Sequence, residues 1–135
     1  MSVTTLAEFT EKGNGVEIGV PGFVSGETIT MKIKRPSLME MAVHGKIPNT
    51  LMATAASLFK SGTSECIDKL KDDDGKAFAD FSEAVHCVVK AALVEPTYDE
   101  LKERGIELTD VQLLYIYNYI QDGVDKLKGV IKKKN

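Results

Sequence analysis

The sequence predicts a mainly α-helical domain: a compact body of about five helices with a short N-terminal β-hairpin as a minor α+β element. Three observations predict it. Apolar residues recur at steps of three and four through much of the second half of the chain, the signature of amphipathic helices. Three S/T-x-x-E/Q signals mark helix starts. One stretch, Thr28 to Lys34, alternates polar and apolar side chains with the period of a half-buried strand.

Residues 1–15 are polar and end in Gly13-Asn14-Gly15, which predicts a flexible arm or a loose first turn before the first regular element. Residues 16–35 carry the hairpin. Thr28, Thr30, Lys32 and Lys34 alternate with Ile29, Met31 and Ile33, and Gly22 and Ser25-Gly26 supply the turn. A lone hairpin is marginal in water, so this one must lie on the helical body or pair with another chain.

The helical body is expected over residues 36–128. Its start signals are Ser37 with Glu40, Thr97 with Glu100, and Thr109 with Gln112. In each, the hydroxyl accepts from an orphan backbone N–H and the later side chain reaches back to the cap. Pro36 and Pro96 each precede a cap, where they interrupt no helix ladder. The first helix runs from Leu38 to about His44 and stops at Gly45, and the next begins at Asn49 and reaches about Lys60. Ser61-Gly62-Thr63 predicts a break, followed by a short helix from Ser64 to Leu70. The clearest helical pattern spans Ala77 to Leu93. There Phe78, Phe81, Val85, Val88 and Ala92 share a stripe widened by Ala84, Cys87 and Ala91. One turn from Tyr98 to Arg104 ends at Gly105. The last helix, Thr109 to Lys128, has Leu113, Tyr117, Ile120, Val124 and Leu127 on its apolar stripe, which Ile131 continues, and residues 129–135 form a basic tail.

A chain of 135 residues with 43% hydrophobic and 27% charged content predicts one domain, residues 1–135. At this size a core closes without a metal or a disulfide. Cys66 and Cys87 match no zinc or CxxC spacing and are expected as reduced thiols. The net charge of −3 argues against steering toward nucleic acid. The start of the chain lacks the basic and apolar regions of a signal peptide, and no apolar run is long enough to span a membrane. The expected location is the cytoplasm.

No catalytic, cofactor-binding or metal-binding residues are expected. In Asp72-Asp73-Asp74-Gly75, placing Gly75 at the sixth position of a calcium loop puts Leu70 and Phe81 where oxygen ligands are required. His86 and Cys87 are helix neighbours that point about 100° apart, so they form no dyad. His44 suits a helix C-terminus. The lysines of the tail, Lys126, Lys128 and Lys132 to Lys134, complement a helix dipole and lack the arginines and aromatics of a nucleic-acid surface.

The candidates for partner binding lie elsewhere. Lys32, Lys34 and Arg35 cluster at the strand end beside the apolar Leu38, Met39, Ile47 and Leu51. Methionine suits surfaces that accept varied partners. On the last helix Tyr117 belongs to the apolar stripe, while Tyr115 and Tyr119 occupy another face. These two fit an interface and a wide core stripe equally well.

The segment from Lys32 to Met52, KIKRPSLMEMAVHGKIPNTLM, resembles the K-RPSL and GKIPN-L signature of bacteriophage tail assembly chaperones, the XkdN-like group of phages and prophages of Gram-positive bacteria. AALVEPTYDEL and ELTDVQLLYIYNYIQDGVDKL are similar to the ending of the same family. Together the matches span about residues 32–127, with a variable middle. The resemblance implies a non-enzymatic protein that binds the phage tape measure protein, keeps its hydrophobic helices soluble and helps recruit tail tube protein around it. It implies action in the cytoplasm of the bacterial host and absence from the mature virion. It assigns no binding residues one by one. The alternatives are a structural head–tail or tail component and, further off, a small nucleic-acid-binding regulator. An exposed hairpin edge is compatible with a homo-oligomer.

Overall fold

The computed structural model describes residues 2–69 and 75–133, with side chains described for residues 2–60 and 75–121. In chain order the elements are α1 (Leu6–Gly13), β1 (Val16–Pro21), β2 (Thr28–Ile33), α2 (Leu38–Val43), a 3-10 turn (Asn49–Leu51), α3 (Met52–Lys69), α4 (Lys76–Ala92), β3 (Leu93–Glu95), α5 (Tyr98–Glu103) and α6 (Asp110–Lys133). The fold is mixed α+β with helices predominating. The strands form one antiparallel sheet in the order β1-β2-β3.

Alternation decides which face of the sheet is buried. β1 and β2 pair from Val16 opposite Ile33 to Pro21 opposite Thr28. The backbone N–H of Gly22 closes the turn on the Glu27 carbonyl at 2.8 Å. Ile18, Val20, Ile29, Met31 and Ile33 therefore share one face, and all five join the main core. That core is completed by Phe81, Ala84, Val85, Val88, Val89 and Ala92 from α4 and by Leu113, Ile116, Tyr117 and Ile120 from α6. A smaller core holds Met41, Ile47, Leu51 and Ala55, with Cys87 and Ala91 of α4 packed against it. Leu38 touches both cores.

A third strand was not foreseen. The helical pattern was expected to run to Leu93, but α4 ends at Ala92 and the chain turns extended. Leu93 pairs with Ile33 and Glu95 with Lys32, while the Lys34 N–H bonds the Ala92 carbonyl at 2.9 Å. Pro96 disfavours a helical Glu95, and β-branched Val94 suits a strand. Gly15 sits where α1 meets this sheet, at φ +119°. A Cβ there would lie 3.1 Å from Val94 Cγ2 and 3.3 Å from the Ile33 backbone, so only glycine fits.

The caps do more than start helices. Thr97 and Glu100 form a complete capping box, and hydrogen bonds from the Thr97 N–H and hydroxyl hold the Glu100 carboxyl below its usual pKa. At Thr109 the box is also complete: the Thr109 N–H donates to Gln112 Oε1 at 2.9 Å, and the Gln112 N–H donates to Thr109 Oγ1 at 3.1 Å. Gln112 is fully buried, and its Nε2 donates to the Pro21 carbonyl at 3.0 Å. One side chain thus caps α6 and fastens it to β1. Ser37 caps α2 on one side only, because Glu40 turns to His44 at 3.2 Å instead of reaching back.

Four further expectations are corrected. Residues 1–15, expected as an arm or a loose first turn, contain the helix α1, whose start is Thr5-x-x-Glu8. Thr5 Oγ1 accepts from the Glu8 N–H at 3.2 Å, and Glu8 complements the helix dipole. The backbone is helical through Ser61-Gly62-Thr63, so α3 is one helix. A glycine costs only about 1 kcal/mol in a helix interior, and packing against α4 and α6 overrides it. Phe78 is 61% exposed, because the buried stripe of α4 begins one turn later at Phe81 and includes Val89. The helical backbone of α6 continues to Lys133, into the stretch expected as a separate tail. Asp72 to Asp74 and the side chains of Cys66, Val124, Leu127, Ile131 and the tail lysines lie outside the described residues.

Replacing Gln112 by alanine removes the cap acceptor and leaves the half-buried Pro21 carbonyl without its donor. The expected loss is about 1–3 kcal/mol, read as a lower urea midpoint. Gln112→Glu is expected to lose more at neutral pH, since it buries a carboxylate against a carbonyl oxygen. An unchanged midpoint for both variants would mean that Gln112 is not what ties α6 to the hairpin.

Candidate partner-binding surface

The structure divides the sequence-predicted contact residues into three groups. The basic cluster does not act as a unit. Lys32 lies on the outer face of β2, flanked across the sheet by Glu17 of β1 and Glu95 of β3, so its charge has opposite neighbours on both sides. Lys34 is exposed just past the strand. Arg35 reaches α6: its guanidinium carbon lies 4.5 Å from the centre of the Tyr119 ring, and its Nε donates to the Tyr119 carbonyl over 3.4 Å. Arg35 and Tyr119 therefore bind each other, and Tyr119 is half-buried beneath the cation. Tyr115, one turn earlier, remains exposed.

Ile47 and Leu51, expected at the contact surface, are core residues. Both are buried in the smaller cluster with Met41 and Ala55. Backbone geometry puts them there. Gly45 adopts φ +68°, which lets the Lys46 N–H turn back to the Met41 carbonyl at 2.9 Å. The Leu51 N–H then closes on the Pro48 carbonyl at 2.8 Å. The chain reverses, and Ile47 and Leu51 fold onto the underside of α2.

What remains open is the surface between α2 and α3. Leu38, Met39 and Ala42 form one wall of a groove of about 190 Å³, and Met52, Ala55, Ala56 and Phe59 form the other, with Ile47 in the lining. No charged side chain lines it. Met39 is 76% exposed, and Met52 and Phe59 are also exposed. The α3 wall is an i, i+3, i+4, i+7 row, the spacing of one helical face. An open, two-walled apolar trough of this kind accepts the apolar face of a helix. Ala42, Met52, Ala55, Ala56 and Phe59 were not among the expected contact residues. The spacing Met52-x-x-Ala55-Ala56-x-x-Phe59 is visible in the sequence, but the same pattern describes a fully buried face.

A second apolar groove, about 200 Å³, lies between α4 and the start of α6. It is lined by Phe78, Phe81, Ser82, Val85, Asp110, Leu113 and Leu114. This groove is what the misplaced Phe78 contributes to. A more polar recess nearby holds His86, whose Nδ1 lies 3.1 Å from the Tyr98 hydroxyl.

His86 faces Tyr98 while Cys87 packs against the smaller core. Burial, with help from Glu83, raises the Cys87 thiol above its ordinary pKa, and Lys90 only partly opposes this. A protonated thiol is a weak nucleophile. Among the described residues no group of three or more His, Cys, Asp or Glu is placed to hold a metal, and no helix is long and apolar enough to cross a membrane.

Leu51 and Met39 separate the two kinds of apolar residue. Leu51→Ala is expected to cost about 2–5 kcal/mol by chemical denaturation, whereas Met39→Ala should stay within about 0.5 kcal/mol of the parent. A double-mutant cycle on Arg35→Ala and Tyr119→Ala should show a coupling of about 0.5–1 kcal/mol, and strict additivity would dissolve the pair.

Compared with protein-family models, curated proteins and solved structures, the chain matches none.

Proposed function

We propose that this protein is a non-enzymatic phage or prophage tail assembly chaperone. In this reading it holds apolar helices of the tape measure protein in the α2/α3 groove while tail tube protein assembles around that partner. It works in the cytoplasm of the bacterial host and leaves before the virion is complete. The observation that carries the reading is a coincidence of place. The segment from Lys32 to Met52, whose residues resemble the chaperone signature, also supplies Leu38, Met39, Ala42, Ile47 and Met52 to the groove.

The physical character of the groove supports reversible binding of many similar helices. It is shallow, apolar and walled partly by methionines, whose flexible thioethers adapt to different side chains. A chaperone for a long helical client needs contacts that form repeatedly along the client and release without chemistry. Lys34 and Tyr115 are exposed and give such a client polar and aromatic contacts outside the groove. Ile47 and Leu51 support the groove from beneath.

Co-expression with the tape measure protein encoded beside it tests the proposal. The soluble yield of the tape measure should rise, and the two should co-purify. Met39→Glu and Phe59→Glu each place a charge in the trough and should abolish co-purification while leaving thermal unfolding near that of the parent. Co-purification indifferent to both substitutions would remove the groove from the reading. Detection of the chain in purified virions would favour a structural tail component.

A further inference from the structure

The two edges of the sheet are finished differently. β3 has 3 residues and runs into Pro96, and both features blunt an edge against further pairing. β1 has 6 residues, carries no lysine, and has its one proline, Pro21, as its last residue. The turn decides which of its backbone groups face outward. The Gly22 N–H bonds the Glu27 carbonyl, and residue pairs along an antiparallel ladder alternate between bonded and unbonded. Val16, Ile18 and Val20 therefore turn their N–H and C=O groups to β2, while Glu17, Gly19 and Pro21 turn theirs to the free edge.

That edge is closed at one end and open at the other. Pro21 has no N–H, and its carbonyl already accepts from Gln112 of α6. Glu17 and Gly19 are exposed, and among the described residues nothing bonds their outward groups. Each of these two residues offers one donor and one acceptor, in the alternation that an extended strand completes.

We propose that a second copy of this chain supplies that strand: two β1 edges pair antiparallel about a two-fold axis at Ile18, joining two three-stranded sheets into one. The register follows by exclusion. Bonds form only where outward residues face outward residues, so the axis falls at Glu17, Ile18 or Gly19. An axis at Glu17 sets two carboxylates directly opposite each other, which is destabilising. An axis at Gly19 sets Glu17 opposite Pro21, which has no N–H and whose carbonyl is taken. An axis at Ile18 sets Glu17 of each copy opposite Gly19 of the other, and every open donor meets an open acceptor. Gly19 brings no side chain to oppose Glu17, and the ladder ends with Val16 opposite Val20, short of the Gln112 contact. The edge is thus its own complement, in spacing and in charge. The proposal goes beyond the client reading and does not depend on it, since no residue of the α2/α3 groove takes part.

Light scattering and sedimentation of the full chain, without any client, provide the test. The parent should be dimeric at high micromolar concentration. Glu17→Pro removes an outward donor from each copy and leaves the β1–β2 bonds in place, so association should weaken by roughly tenfold or more. Thermal unfolding near that of the parent shows the fold intact. Gly19→Lys and Gly19→Glu read the register. A Cβ at this position would lie 3.2 Å from Thr28 Cγ2, so both variants carry the same crowding and differ in the charge set opposite Glu17. Gly19→Lys should dimerise at least about threefold more tightly than Gly19→Glu. This comparison stands even where Glu17→Pro fails to fold. A monomeric parent overturns the proposal and leaves the edge to a strand of another protein. A dimer indifferent to a folded Glu17→Pro, or equal association of the two Gly19 variants, overturns it as well.

Discussion

The structure depends on burying one face of α4. Phe81, Ala84, Val85, Val88, Val89 and Ala92 share one core with the inner face of the sheet and with α6, and α4 also packs on α3. Helical stability in a domain of this size comes mainly from such a face rather than from propensity. The sheet, too small to stand alone, is stabilised by the same surface, since Val20, Met31 and Ile33 have no other core to enter. The end of α4 continues directly into β3. Helix burial and sheet closure are therefore one event, and the position of Ala92 fixes the register of the third strand.

The surfaces available for function are what this packing leaves over. α2 and the turn after it are pinned to the far side of α4 through Met41, Ile47 and Leu51, with Cys87 and Ala91 beneath them. That anchoring consumes the inward side chains of the Lys32–Met52 segment and leaves Met39, Met52 and Phe59 facing outward. A trough arises because α2 is short and α3 long, so their ridges meet over only part of their length. The basic residues are similarly divided: Arg35 is drawn to Tyr119, and Lys32 pairs in register with Glu17 and Glu95 on the neighbouring strands.

α1 and the trough have a common physical logic. Each is an exposed apolar surface. One is convex and acidic on its back; the other is concave and has no charged lining.

By itself the sequence determined the local grammar. Thr97-x-x-Glu100 and Thr109-x-x-Gln112 gave their capping boxes, Gly45 and Gly105 gave left-handed helix ends, and Thr28 to Ile33 gave a strand. These are contacts within a few residues, where covalent geometry and propensity decide. The tertiary structure alone decided which apolar residues are inside. Ile47 and Phe78 look alike as sequence, but one is buried and the other exposed, because burial depends on which helix lies opposite. It also decided the pairs Arg35 with Tyr119, 84 residues apart, and Gln112 with Pro21, 91 apart. No periodicity encodes such pairs, since they exist only once the burial of α4 has brought the hairpin and α6 together.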